Sequence, residues 1–282
     1  MEPGSAKRSV FVGAEDAFES ACWVCGAVGR FRRRRTALSE TYRCPACNAS
    51  LRYQGQARAI VRSYARHGSR TIAELVDEPE FRELNILEPA GARVLRRYFR
   101  RVAGYVRTVY DPAAKPGEVR DDERYEDLMQ LTFASESIDL VVTSDVFEHV
   151  RHPDRAFAEV FRVLRSGGMH IFSIPVRWPM RPRTIPRVDV TGADDVPLLR
   201  PVFHHSENNV VYNDFGADLL ELLDEIGFVT DPMLFASSVE VTSHHVTFCS
   251  TRPAPRIEPV QQLPLDNGEV LPEIDLRAGP AA

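Results

Sequence analysis

The sequence predicts an α/β protein: a doubly wound sheet of mostly parallel strands preceded by a small N-terminal zinc ribbon. Three observations point there. From residue 84 to residue 250, short apolar runs alternate with helical stretches. Such alternation builds parallel sheets covered on both faces. Several of those runs end in an acidic residue. Near the front, two C-x-x-C pairs stand 18 residues apart, Cys22/Cys25 and Cys44/Cys47.

Residues 1–20 show no period. In residues 21–50, each cysteine pair can grip one tetrahedral ion from a tight knuckle, and two pairs close a four-thiolate site with no open coordination position. That chemistry is structural rather than catalytic. Gly26 and Pro45 stand at turn positions beside the pairs. The run Arg30-Phe31-Arg32-Arg33-Arg34-Arg35 falls on the hairpin between the knuckles. Residues 1–107 carry 20 basic and 11 acidic side chains, residues 108–282 carry 15 and 29. A basic front on an acidic body suits an anionic partner, so nucleic acid is a candidate through segment 30–35. A solvated arginine face accounts for the same residues.

Residues 51–83 read as a helical connector, with Ala57, Ile60, Val61 and Tyr64 at helical spacing and a capping box at Thr71/Glu74. Residues 84–250 form the main domain. Its strand candidates are 85–89, 105–111, 138–145, 169–175 and 244–250; a shorter one precedes Asp127. Its helix candidates are 92–101, 154–168, stopped by Gly167 and Gly168, and 216–228. An insert at 176–213, rich in Pro and Arg, interrupts the alternation and suits a lid or substrate loop. Residues 251–282 hold six prolines and no aromatic residue and read as a disordered tail. Cys249 reads as a small buried residue of the last strand. No apolar run approaches the roughly 20 residues of a membrane span, and no apolar leader opens the sequence, so a cytoplasmic chain is expected.

Ligands of doubly wound sheets bind at the carboxyl ends of the strands. Glu88 ends the first strand and is followed by Pro89, Ala90 and Gly91; Asp111 follows 20 residues after Gly91. An acid at that spacing can take both hydroxyls of a ribose. Asp127 follows the third strand candidate and Asp145 ends the fourth.

The stretch EDLMQLTFASESIDLVVTSDVFEHVRHPDRAFAEVFRVLRSGGMHIFSIP, residues 126–175, resembles class I S-adenosylmethionine-dependent methyltransferases of the type 11 kind. The likeness extends loosely over 84–250. The cysteine pairs followed by LRYQGQAR are similar to bacterial methyltransferases with an N-terminal zinc module, some of which belong to carbohydrate and secondary-metabolite pathways. The resemblance implies a Rossmann-like sheet binding S-adenosylmethionine. It implies Glu88 near the methionine part of the cofactor, Gly91 allowing close backbone approach, Asp111 on the ribose, and Asp127 and Leu128 beside the adenine. Asp145, Val146 and Phe147 would line the pocket below the methyl, with Glu148 and His149 facing the acceptor. One departure is plain. The family's E-x-G-x-G-x-G loop reads here Glu88-Pro89-Ala90-Gly91-Ala92-Arg93, with a single glycine.

Methyl transfer to an oxygen or carbon nucleophile needs a proton removed. His149, His204 and His205 are the candidate bases, with Asn208 as a polar contact. His244 and His245 read as structural. Tyr212 and Asp214 precede the last helix, where Asp214 can serve as an N-cap. Arg177, Arg181 and Arg183 of the insert can clamp a phosphate. The reading is methyl transfer to a small-molecule acceptor, a hydroxyl of a sugar or glycan precursor, with a structural zinc ion. The alternatives are an RNA or protein methyltransferase using the basic ribbon, and a non-catalytic interaction protein on the same fold.

Overall fold

In this computed structural model, residues 17–34, 40–90, 93–176, 178–203, 209–234 and 245–254 are described. The tail expected at 251–282 lies outside them from residue 255 onward, while its first residue, Thr251, ends the last strand; most of segment 1–20 also lies outside, as do Arg35, Gly91, Arg177, His204, His205, Asn208 and His244.

A hairpin opens the described chain: β1 (Ala17–Ala21) pairs antiparallel with β2 (Val28–Arg32). Then come α1 (Leu51–Tyr64), α2 (Ile72–Leu75) and α3 (Pro79–Arg82). The Thr71 hydroxyl accepts from the Glu74 N–H, as the capping box predicts. The main sheet is built from β3 (Asn85–Pro89), β4 (Gly104–Val109), β5 (Val119–Arg120), β6 (Glu123–Tyr125), β7 (Ile138–Ser144), β8 (Leu164–Ser173), β13 (Val229–Leu234) and β14 (Val246–Thr251). Between them lie α4 (Arg93–Phe99), α5 (Pro153–Val163) and α6 (Asp218–Ile226). The strand order is β13-β14-β8-β7-β3-β4-β6-β5. The central strands β8, β7, β3, β4 and β6 are parallel, while β5, β13 and β14 pair antiparallel at the edges.

Strand periodicity divides the core in two. Ile86, Leu140, Val142 and Ile171 face one side, against α1, α2, α4 and the cysteine module. Leu87, Val141 and Phe172 face the other, against α5 and α6. Every residue of β7 before its last is buried, which explains its continuous apolar run. The connector helix α1 packs on β8 and β14, so the cysteine module and the sheet share one core.

Three local readings are corrected. Helix α5 ends at Val163 rather than running to the glycines, and β8 begins at Leu164. Gly167, at φ 78°, and Gly168 instead serve an irregular start of β8. A Cβ on Gly168 would meet the Asp139 and Ile138 carbonyls at 3.1 and 3.2 Å. The Arg252 guanidinium donates to the Phe161, Arg162 and Leu164 carbonyls and closes the helix end from far along the chain. The sequence reading did not include β13, which lies at the sheet edge and therefore tolerates Pro232. The insert, expected as a loop, carries regular structure. Short strands β9 (Ile185–Pro186), β10 (Val188–Asp189), β11 (Val196–Pro197) and β12 (Asn213–Asp214) pair as β10-β11 and β12-β9. Its base is tied down by Thr184 donating to Asp218 and by an ion pair of Arg187 with Asp214 at 2.8 Å.

Candidate functional site

The four cysteines come together. Their sulfurs all lie within 4.8 Å of one another, with Cys22–Cys47 at 3.6 Å and Cys25–Cys44 at 3.7 Å. A tetrahedral ion with metal–sulfur bonds of about 2.3 Å has sulfur–sulfur edges of about 3.8 Å, so the donor set fits. Two matching knuckles present them. The Gly26 N–H donates to the Cys22 carbonyl and the Asn48 N–H to the Cys44 carbonyl. Gly26 and Asn48 both sit in the left-handed region, at φ 80° and 65°. Glycine and asparagine are the residues that adopt it most readily. Gln54 of α1 donates to the Cys22 sulfur at 3.2 Å and accepts from the Trp23 N–H at 3.0 Å. In β2 the alternation buries Phe31 and leaves Arg30 and Arg32 exposed, as is Arg34 just beyond the strand. Cys249 stands apart in β14, its thiol pushed up to about 12 by burial.

The second candidate site is the carboxyl end of the sheet. Strands β4 and β6 follow β3 to one side and β8 follows β7 to the other, so the crevice between β3 and β7 is the topological switch point. Glu88 stands there at the end of β3 and is 1% exposed. The Tyr105 hydroxyl donates to its Oε2 at 2.6 Å, while Oε1 has no hydrogen-bond partner among the described residues. Burial pushes the carboxyl up from 4.5 to about 8. Ala90 turns the chain at φ 53° where a glycine is usual. Asp111, just beyond β4, is half-buried and accepts from the Ala113 N–H at 2.9 Å. Asp127, beyond β6, accepts from the Met129 N–H at 2.8 Å, and Leu128 beside it is buried.

Asp145, beyond β7, has φ 50°. Its Oδ2 takes Arg52 of α1 at 2.6 Å and its Oδ1 takes the Ser173 hydroxyl at 2.8 Å. Val146 is half-buried. Phe147 turns into the core, fully buried and stacked on Phe157 at 3.9 Å. Glu148 is buried, and burial followed by the charge of Asp145 holds its carboxyl well above the usual range. His149 Nδ1 lies 2.8 Å from the Val210 carbonyl. A carbonyl only accepts, so Nδ1 carries the proton and the basic lone pair is on Nε2, 3.7 Å from Glu148 Oε1. The Tyr212 N–H donates to the Glu148 carbonyl at 2.7 Å, which seats the end of the insert against this turn. Tyr212 Oη and Arg151 both bind Asp195, at 2.6 Å each. Arg183 pairs with Glu221, and the Arg181 carbonyl accepts from Ala217, the N-cap of α6. His245 is buried, its imidazole pushed down to about 4 by desolvation.

Glu88 supplies a pH test. A carboxyl whose folded pKa is raised binds its proton more tightly in the folded state than in the unfolded one. Its stabilisation is complete below pH 4.5 and is lost as pH rises through about 8. The contribution is on the order of a few kcal/mol. Urea titrations between pH 5 and 9 should therefore show Glu88→Gln with a flatter fall in stability than the wild type. Parallel curves would contradict the assignment.

Sequence reasoning missed the role of Arg52, Gln54 and Gln56. Gln56 donates to the Thr143 carbonyl and accepts from the Ser144 hydroxyl, both at 2.7 Å. The signal was there: polar residues at every second position cannot form one solvent face of a helix, and Leu51 to Gln56 are all buried.

Residues 91–172 match the family described as "Methyltransferase domain". A Mycolicibacterium smegmatis protein named "Probable S-adenosylmethionine-dependent methyltransferase/" is 33% identical over 151 residues, covering 52% of this chain and 51% of the relative. The matched region thus spans about half the length of that relative. Among solved structures, an S-adenosylmethionine-dependent methyltransferase from Mesorhizobium loti aligns at TM-score 0.38 with 21% identity, covering 62% of this chain and 92% of its own. The Burkholderia thailandensis 1,6-didemethyltoxoflavin-N1-methyltransferase aligns at 0.37 with 15% identity, over 80% and 96%. Among the described residues, no helix is long and apolar enough to cross a membrane. Residues 91–172, which match the methyltransferase-domain family model, include β4, β6 and β7 with Asp111, Asp127 and Asp145 beyond their ends.

Proposed function

We propose that this chain transfers a methyl group from S-adenosylmethionine to a small-molecule acceptor, a hydroxyl of a sugar or glycan precursor, and that its four thiolates hold a structural zinc ion. The observation that carries the reading is the set of acids at the carboxyl ends of β3, β4, β6 and β7 around the switch point: Glu88, Asp111, Asp127 and Asp145. S-adenosylmethionine, when bound, supplies an electrophilic methyl on a sulfonium. Asp111, half-buried and holding among the described residues a turn N–H and a distant Arg120, accepts from the ribose hydroxyls. The buried Glu88, with one oxygen unmatched among the described residues, suits the cationic methionine end. His149 Nε2 takes the acceptor's proton. His204 and His205 remain candidates for the same role.

The test is calorimetric titration of the metal-loaded protein with S-adenosylmethionine. The wild type should bind in the micromolar range, and Asp111→Ala should bind at least about tenfold more weakly, the cost of losing a charged hydrogen bond. No binding by folded wild type would leave the interaction-protein reading in first place. The exposed Arg30, Arg32 and Arg34 favour a second reading, delivery of RNA or of a protein to the site. Steeply salt-dependent RNA binding lost on replacing these three arginines would select the RNA form.

A further inference from the structure

Arg52 lies between the two candidate sites. It is 8% exposed, and it is held from both ends. One terminal nitrogen contacts Asp145 Oδ2 at 2.6 Å, and the other contacts Glu40 Oε1 at 2.5 Å. Glu40 belongs to the segment leading into the second cysteine pair, and it also takes Arg43 at 2.5 Å. The next residue, Thr41, accepts the first N–H of α1 through its carbonyl. At the other end, Asp145 adopts φ 50°, a conformation that costs a non-glycine residue energy and persists only where its surroundings impose it. Arg52, the Ser173 hydroxyl and the Ser173 carbonyl, which accepts from the Asp145 N–H at 3.0 Å, impose it. Gln56, one helical turn from Arg52, clamps the two preceding residues, Thr143 and Ser144.

We infer that Arg52 is a positioning residue for the methyl-transfer site, transmitting the order of the cysteine module to Asp145 through the chain Glu40–Arg52–Asp145. The inference rests on the reading that the carboxyl end of β7 borders the S-adenosylmethionine pocket. The guanidinium suits the task because its rigid fork offers a separate nitrogen to each carboxylate in a fixed geometry, whereas an ammonium has one nitrogen on a flexible stem. Its loss frees the loop after β7 while the apolar contacts of α1 through Ala57, Ile60 and Val61 remain. The cysteine module then acts on the site without touching the ligand.

The experiment titrates wild type, Arg52→Lys, Glu40→Gln and the double variant with S-adenosylmethionine by calorimetry, with melting curves alongside and Asp111→Ala as reference. Arg52→Lys should bind about tenfold or more weakly. Glu40→Gln should weaken binding several-fold although Glu40 lies on the far side of Arg52 from the strand ends. The double variant should be no worse than Arg52→Lys alone, because both act along one chain. A purely structural arginine would lower the melting temperature and leave the affinity of the folded protein unchanged; that result overturns the inference. Should Arg52→Lys fail to fold, unchanged affinity in Glu40→Gln overturns it alone. Loss of binding in Asp111→Ala with normal binding in both others overturns only this inference. A wild type that binds no S-adenosylmethionine overturns the underlying reading with it.

Discussion

Protein purified without chelators is expected to carry one zinc ion per chain, and Cys44→Ser to lose it together with much of the fold's stability. The four sulfurs are already at near-tetrahedral separations. Without a cation the cluster is electrostatically awkward. The hydrogen bond from Cys47 pushes the Cys22 thiol down, while the same contact drives Cys47 upward and burial pushes Cys25 up. A divalent ion lets all four ionise together. Structural zinc sites in small modules contribute roughly 10 kcal/mol or more of folding free energy. The effect reaches beyond the module, since Val24, Phe31 and Tyr42 belong to the same core as Ile86 and Leu140 of the sheet. A loss of about 5 kcal/mol lowers the melting temperature of a domain this size by roughly 10–20 °C. Metal analysis and calorimetric melting of the two proteins check it. A metal-free variant that melts with the wild type would show that the thiols pack as ordinary core residues.

Phe147→Ala is expected to destabilise the protein by about 3–5 kcal/mol, as truncation of a buried phenylalanine does. The ring is fully buried, stacked on Phe157 at 3.9 Å and tilted against Phe172 and His170. The family resemblance assigns Phe147 to the wall of the cofactor pocket. The two roles separate experimentally. A wall residue leaves urea stability intact and weakens S-adenosylmethionine binding, whereas a core residue shifts the urea midpoint first. A variant within about 1 kcal/mol of the wild type would reject the core assignment.

The parts of the fold legible in the sequence were those decided locally. The knuckles follow from cysteine spacing, the capping of α2 from Thr71 and Glu74, and β7 from an apolar run too continuous for a solvated face. What was illegible was decided at long range. Helix α5 ends five residues before the glycine pair finishes, because Arg252 takes its last carbonyls and Leu164 already pairs with Ile138. Pro232 disguised β13, which only its edge position makes acceptable. At the candidate site, the strand-end acids could be read from where the apolar runs stop. The partners of Asp145 could not, since Arg52 and Ser173 come from a helix and a strand distant in sequence.

The seating of α1 on β8 and β14 also bears on how the chain is made. During synthesis the cysteine pairs and α1 emerge early, so the four proposed metal-binding thiols are together before the sheet is made. The strands that cover the inner face of α1 emerge much later, β14 close to the end of the described chain. Through that interval Leu51, Ile60 and Val61 have no sheet to rest on. A nascent chain in this state offers an apolar surface to chaperones and to its neighbours on the polysome. Were the module to load the proposed ion early, it would shorten the exposed segment and leave one helix, rather than a whole unfolded front, waiting for its sheet.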